Sequence, residues 1–458
     1  MGCRDVHGQR RSAATPVLAF VAGLVVLCAA APLACDSSEE PGTVDAGATD
    51  GGTTSGSDGG TTDGGTTSTG GGGSTPMPEE LVPDWLPESE VVKEPIPTTG
   101  DYYVAPSGDD ANPGTLAEPF LTIQRGVDAA QPGDVILVRA GTYNERVHIQ
   151  PSHSGTADAY VTLAAYPGEE AVVDGTGISV PDAQAGLITV EGSYVRVSGF
   201  TVQDVAGTAS QMGIRTIWGS SHIVIDDNYT IRTASAGIGV WYSDSVLVRG
   251  NRIQDGRTTG TQECLAVNGS THFELSFNEV WNTQDWSQRC EGIDVKNGSA
   301  VGKVVGNVAH DLPLECFYVD GYAEHTYDIE LYANHGYRCS MGLAMTSEQN
   351  GLLENIRVFN NLFHDTSFIG IGFPSWSGST NQGQISNVEI FNNTIDNRRV
   401  EHGVNPTGLF FNYPSLDGVM VKNNIIATKG TAFVFESSVT NLEVGYNLVD
   451  AAELVSGN

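Results

Sequence analysis

The sequence predicts an all-β fold, a parallel β-helix solenoid with a short N-terminal capping helix, and three observations carry that expectation. A unit of short alternating strand ending in asparagine recurs at Val224–Asn228, Leu247–Asn251, Val304–Asn307, Leu331–Asn334, Val358–Asn361, Ile390–Asn393, Val421–Asn424 and Val444–Asn447, with Asn278 falling between them. Successive asparagines lie 23, 27, 29, 27, 27, 32, 31 and 23 residues apart, the period of a solenoid whose stacked Asn side chains bond from coil to coil. A second strand repeats in step, at Gly213-Ile214, Gly237-Ile238, Cys264-Leu265, Gly292-Ile293, Cys316-Phe317, Gly342-Leu343, Gly370-Ile371, Gly408-Leu409 and Ala432-Phe433. Leucine-rich repeats share the period but need leucine at fixed offsets, which is missing, and an immunoglobulin-like sandwich has no such ladder.

Taken from the N-terminus, residues 1–34 read as an export signal of the lipoprotein type. A basic stretch ends at Arg10-Arg11, and an apolar run from Val17 to Ala31 ends in Pro32-Leu33-Ala34-Cys35. That ending resembles the lipobox of bacterial lipoproteins, with the leucine two residues before the cysteine instead of three, and marks Cys35 for lipidation. The chain is then expected to be exported to the cell envelope or cell surface and to meet the membrane through this anchor only. Cleavage and secretion is the alternative. Residues 35–100 form a Gly/Thr/Ser/Asp-rich linker that cannot bury enough apolar surface to offset the entropy of ordering it. At about 5 to 6 Å × √n, a flexible tether of this length holds a domain some 40 to 50 Å from its anchor.

Residues 101–458 are the β-helix domain. Ile123, Val127 and Ala130 have helical spacing, which suits the capping helix at the open end. In Ile293-Asp294-Val295-Lys296 the apolar pair points inward, so Asp294 and Lys296 point out. Aligning the repeats puts Asn268, Lys296, Asp320 and Thr346 in one outward column and Ala266, Asp294, Tyr318 and Ala344 in the next. Coils stack about 4.8 Å apart, so Lys296 is within reach of Asp294 and Asp320, with Tyr318 beside them. Before the strands, Glu263, Glu291 and Glu315 form an acidic column, and Glu348 follows the next coil. Stacked carboxylates repel unless a proton or cation intervenes, and calcium, which takes several oxygen ligands, suits Glu291, Glu315, Asp320 and Glu348.

Composition sharpens the functional reading. The formal net charge is −33, from 55 acids against 22 bases, with no basic run. A nucleic-acid partner is excluded, since counterion release needs clustered Lys and Arg. The domain is expected to be monomeric. Arg289 and Arg338 are candidate substrate-binding bases, with Tyr322 and His325 beside them, against a surface that repels polyanions. Trp241, Tyr242, Trp281, Trp286, Tyr318, Tyr322 and Trp376 are candidate sugar platforms or else residues wedged under loops. His310, His335 and His364 show no metal-ligand spacing and read as turn residues. Four cysteines outside the signal and anchor, Cys264, Cys290, Cys316 and Cys339, suggest two disulfides with three possible connectivities, or free buried thiols. Regular strands would leave each neighbouring pair slightly beyond bridging distance.

The start of the domain reads Tyr102-Tyr103-Val104-Ala105-Pro106-Ser107-Gly108, Asn112-Pro113-Gly114-Thr115, Pro132-Gly133-Asp134-Val135 and Gly141-Thr142-Tyr143. These segments resemble the N-terminal coil of the right-handed parallel β-helix (pectate-lyase-like) superfamily, and in particular family 9 polysaccharide lyases. The resemblance implies a right-handed single-stranded solenoid, acidic calcium ligands on adjacent coils and a lysine base. It implies β-elimination on a uronate-containing polysaccharide: a cation draws charge from the uronate carboxylate and a base removes the C5 proton. The chain departs from the family where Glu315-Cys316 stands in place of a paired Asp-Asp. The family's base comes from a later coil, yet no Lys lies between Lys303 and Lys422. The base is then Lys296 or Tyr318. Hydrolysis through Asp294 and Asp320 or Glu291 and Glu315, epimerisation, and glycan binding without catalysis are the alternatives.

Overall fold

A computed structural model describes residues 95–180, 185–207, 211–259, 263–283, 290–376, 381–400 and 404–457. The expected signal, the Cys35 anchor, most of the linker, Trp286 and Arg289 lie outside the described residues. No described helix is long and apolar enough to cross a membrane.

The described chain is a parallel β-solenoid. Each coil places one strand in a 14-stranded sheet and the others in a 20-stranded sheet, and every ladder pairs a strand with its counterpart one coil away in parallel register. The second repeat stacks as expected: Ile238, Leu265, Ile293, Phe317, Leu343 and Ile371 form one inward column, all buried in a single continuous core. Alternation with period two drives this, because branched and aromatic side chains fill the interior while their neighbours face out.

The asparagine ladder is continuous from Asn228 to Asn447. At each step the Oδ1 of one asparagine accepts both the backbone N–H and the side-chain amide of the asparagine one coil before, at 2.9–3.1 Å. The second amide hydrogen goes to a backbone carbonyl, as from Asn334 to Val304 at 2.8 Å. Buried turns therefore keep their polar groups paired. The residue before each asparagine is left-handed, with φ +65° at Gly250 and +66° at Gly306, so the chain turns sharply while the amide points inward.

At the start of the solenoid, Ile123–Ala129 is a seven-residue helix with Ile123, Gly126 and Val127 buried. Thr122 caps it by accepting from Arg125 N–H, and the Glu145 carboxylate accepts the next two free N–H groups, from Ile123 and Gln124, at 2.8 and 3.0 Å.

Two disulfides resolve the open connectivity, Cys264–Cys290 and Cys316–Cys339. Their Cα separations of 5.8 and 5.7 Å lie inside bridging range, which corrects the expectation from regular strands. Cys264 and Cys290 precede the strands Leu265–Asn268 and Ile293–Lys296, whereas Cys316 and Cys339 lie within the strands Val308–Asp320 and His335–Thr346, whose ladder shifts register between Leu312 and Glu315, so a loop in one case and a bulge in the other bring the sulfurs together.

Candidate active site

Four adjacent strand segments place the outward columns. Leu265–Asn268 pairs residue for residue with Ile293–Lys296, which pairs with Phe317–Asp320 and then with Leu343–Thr346. Asn268, Lys296, Asp320 and Thr346 thus share one column and Ala266, Asp294, Tyr318 and Ala344 the next. The expected solvent exposure of this face is corrected. Asp294 is fully buried, Tyr318 and Asp320 nearly so, and the Lys296 side chain is 14% exposed. Met341, Ile369 and Phe410 pack with Tyr318 and Ala344, and Trp376 joins them from a later coil. The cover comes from other coils, which a single-strand pattern does not register.

Lys296 Nζ lies 2.5 Å from Glu263 Oε2 and 3.1 Å from Asp294 Oδ2. Asp320, expected to pair with it, is not among its ion-pair partners within the described residues. Arg257 Nη1 meets Glu291 Oε1 at 3.1 Å. Carboxylate oxygens of Glu263, Glu291 and Asp294 lie within 4.8 Å of one another. Two cations therefore face three carboxylates, and the charges sort accordingly. Burial opposes the Lys296 ammonium, but Glu263 and Asp294 outweigh it and hold the pKa well above the ordinary lysine value. Burial pushes Glu263 up, yet Lys296 brings it below the usual carboxylate range. Asp294 is driven well above that range by burial, which the same lysine does not offset. Burial and the Glu263 charge raise Glu291 to about 7, and burial with Glu291 raises Glu315 to about 8.

A second cluster surrounds Tyr318. Its hydroxyl donates to Glu348 Oε1 at 2.5 Å, lies 2.6 Å from the Thr346 hydroxyl and accepts the Trp376 indole N–H at 3.1 Å. Asp320 Oδ1 accepts from Tyr322 N–H at 2.7 Å and from the Thr346 hydroxyl at 3.1 Å. Burial and Glu348 raise Asp320 to about 7, burial raises Glu348, and burial with Asp320 and Glu348 holds the Tyr318 phenol far above its ordinary value. Tyr318 is therefore held as a neutral phenol that donates a hydrogen bond to Glu348.

The carboxylates also test the calcium expectation. Glu291 is grouped with Glu263 and Asp294 rather than with Glu315, Asp320 and Glu348. Asp294 Oδ1 is buried without a hydrogen-bond partner among the described residues. A set of oxygen donors with an unpartnered carboxylate oxygen suits a hard divalent cation such as calcium.

Two expected substrate-binding residues stand elsewhere. Arg338 makes a bidentate pair with Asp311, both contacts 2.5 Å, and lies over Tyr337. His325 pairs with Glu354 at 3.2 Å and rests on Tyr327, in the 14-stranded sheet. Each is held by a carboxylate of an adjacent coil, Asp311 or Glu354. Tyr322 does border the site, through its N–H on Asp320, with its side chain 41% exposed. Trp281 sits in a ring stack that continues through His310, Tyr337 and His364 with interplanar angles of 1–4°. Arg257 escaped the sequence reading because it lies in a loop with no repeat column. Glu263 was visible as a column but its pairing with Lys296 was not.

Residues 102–254 match the family described as "Pel9A-like, right handed beta helix region". The chain is 29% identical over 372 residues to the uncharacterized protein YwoF of Bacillus subtilis (strain 168), a span of 73% of this chain and 77% of that one. It is 43% identical over 81 residues to pectate lyase PEL9 of Emericella nidulans, which is 18% of this chain and 20% of the lyase. Among solved structures, the polygalacturonase from Erwinia carotovora ssp. carotovora superposes with a TM-score of 0.53 at 11% identity, over 81% of this chain and 100% of that one. That likeness is one of fold alone. The match over 102–254 ends before Glu263, so the Lys296 site stands on its geometry.

Proposed function

We propose that this pectate-lyase-like right-handed β-helix protein, which resembles family 9 polysaccharide lyases, cleaves a uronate-containing polysaccharide by β-elimination at Lys296. The observation that carries the reading is the Lys296 amine set among Glu263, Asp294 and Glu291 on the outward columns of adjacent coils. In the reaction the base takes the C5 proton, its electrons form the C4–C5 double bond, and the C4–O bond breaks with the leaving oxygen taking a proton. Glu263, Glu291 and Asp294 are the residues that would hold a calcium ion, and its chemistry there would be to offset the charge of the uronate carboxylate. Lys296 would serve as the base only where its ion pairs with Glu263 and Asp294 are relieved, since those carboxylates hold its pKa up. Asp320, raised to about 7, is the acid placed one coil away to protonate the leaving oxygen.

Hydrolysis is a second reading, favoured by Asp320 near 7 and Glu315 near 8, since a raised carboxyl is what a general acid needs. The product separates the two. Incubating the protein with polygalacturonate or alginate is expected to release 4,5-unsaturated sugars with ultraviolet absorbance, dependent on calcium and lost in Lys296→Ala. New reducing ends without absorbance identify a hydrolase, and binding without turnover identifies a glycan-binding solenoid.

The export reading joins this proposal. Residues 1–34 direct secretion, Cys35 is lipidated, and residues 35–100 tether the domain outside the cell. Labelling with a palmitate analogue tests the anchor, and Cys35→Ala is expected to abolish the label and release the protein.

A further inference from the structure

Trp218 is 75% exposed, yet it is held in place. One face of its ring stacks on Tyr242 with centroids 4.6 Å apart and planes at 19°. Tyr242 is seated in turn on the next coil. Its ring lies over Gly269, where an added Cβ would come within 2.6 Å of it, and Gly269 has φ +59°. A glycine there both makes the turn and leaves room for the ring. At the open end of the stack Gly219 is left-handed, and a Cβ placed on it would meet nothing within 4 Å. The exposure of Trp218 leaves its other face accessible, and the stack on Tyr242 restricts its position, which lowers the entropy that binding would cost.

This turn is continuous with the Lys296 site. Backbone bonds run coil to coil from Gly219 N–H to Tyr242 C=O, from Tyr242 N–H to Asn268 C=O, from Gly269 N–H to Lys296 C=O, and from Asn297 N–H to Asp320 C=O. Trp218 and Tyr242 thus lie on the same edge of the solenoid as Lys296, three coils and two coils before it. At about 4.8 Å per coil, Trp218 is roughly 14 Å from the Lys296 strand along the axis. Between them the edge carries Gly269 and the amide pair Asn268 and Asn297, bonded to each other at 3.2 Å. Flat glycine, planar amides and an anchored aromatic pair are the chemistry that reads a sugar chain: amides for hydroxyls, aromatic faces for the apolar faces of pyranose rings.

We infer that Trp218, backed by Tyr242, is a remote sugar-binding platform that holds a pyranose unit of the acidic polysaccharide about three units away from the one at Lys296. The inference rests on the elimination reading for its substrate class. Trp218 acts as a positioning residue for long chains and leaves short ones untouched, since a coil rise is close to the length of one pyranose unit in an extended chain.

The test compares galacturonate and alginate oligomers of three and six units with the full-length protein, by calorimetric binding and by turnover. Trp218→Ala is expected to weaken hexamer binding and raise its KM roughly three- to ten-fold, with trimer binding, kcat and thermal stability unchanged, and Trp218→Phe to restore most of the loss. Hexamer affinity equal to that of the unaltered protein, equal losses on trimer and hexamer, or no binding of either series by the unaltered protein would overturn it. Binding is read separately from turnover. A protein that binds the hexamer through Trp218 but releases no unsaturated product sinks the elimination reading and leaves the platform standing.

Discussion

The Lys296 ammonium and the Glu263 carboxylate, from neighbouring coils, meet at 2.5 Å in a site where the lysine is 14% exposed. This contact determines the protonation of its surroundings. The pair holds Glu263 below and Lys296 above their ordinary ranges, while burial drives Asp294 up and brings Glu291 to about 7. Breaking a buried pair leaves an uncompensated charge, so Glu263→Gln is expected to destabilise the domain by about 3 kcal/mol. Urea unfolding at pH 7 measures it, and a loss below about 1 kcal/mol would show that the pair is not load-sharing in the fold.

Calcium should act on the same carboxylates. Added calcium is expected to raise the melting temperature of the protein, and Asp294→Asn to remove most of that shift, because stabilisation follows differential binding to the folded state. An equal calcium response in both proteins would place the ion elsewhere.

Glu315 offers a test with the opposite sign. Burial and Glu291 raise its folded pKa to about 8, above an unfolded value of about 4.3. Between those values the folded protein holds a proton that the unfolded chain releases, so stability falls as pH rises through that window. Glu315→Gln keeps the neutral shape and is expected to stabilise the protein at pH 8 while changing little at pH 4. Melting curves across that range decide it.

His335 titrates the other way. Burial and the neighbouring His364 and His310 push it down to about 4, below an unfolded value of about 6.5, and its Nε2 meets His364 Nε2 at 2.9 Å. Its neutral form contributes stability that is present above pH 6.5 and lost as pH falls toward 4. His335→Gln is expected to lose less stability than the unaltered protein between pH 7 and pH 4.5, measured as the difference of two unfolding profiles.

The asparagine ladder is the structural counterpart. Asn334 Oδ1 accepts both amides offered by Asn307, and its own amide serves Val304 and Asn361. Asn334→Ala leaves buried partners unpaired at about 1–3 kcal/mol each, so a loss of several kcal/mol in unfolding free energy is expected.

These sites differ in how far the chain announced them. The column from Leu265 through Ile293 and Phe317 was legible because strand alternation and one asparagine per coil fix the register, and with it the placement of Asp320 in the column of Lys296 and of Asp294 in the adjoining one. What lies over those columns was not legible. Trp376 reaches Tyr318 from 58 residues away, and Arg257 approaches Glu291 from a loop without a repeat position. Arg338 and His325 looked available because isolated bases in an acidic chain do, but each is bound by a carboxylate, Asp311 or Glu354. Periodicity locates a side chain on a face, whereas loops of irregular length decide what folds over that face.

The most direct test of the account is the ultraviolet absorbance produced from polygalacturonate or alginate by the purified protein with calcium, beside Lys296→Ala under the same conditions. The account predicts a steady rise for the unaltered protein, abolished by chelation and reduced at least a thousand-fold in Lys296→Ala, on the order of what a lost catalytic base costs. Absorbance that persists in Lys296→Ala, or reducing ends that appear without it, would contradict the account.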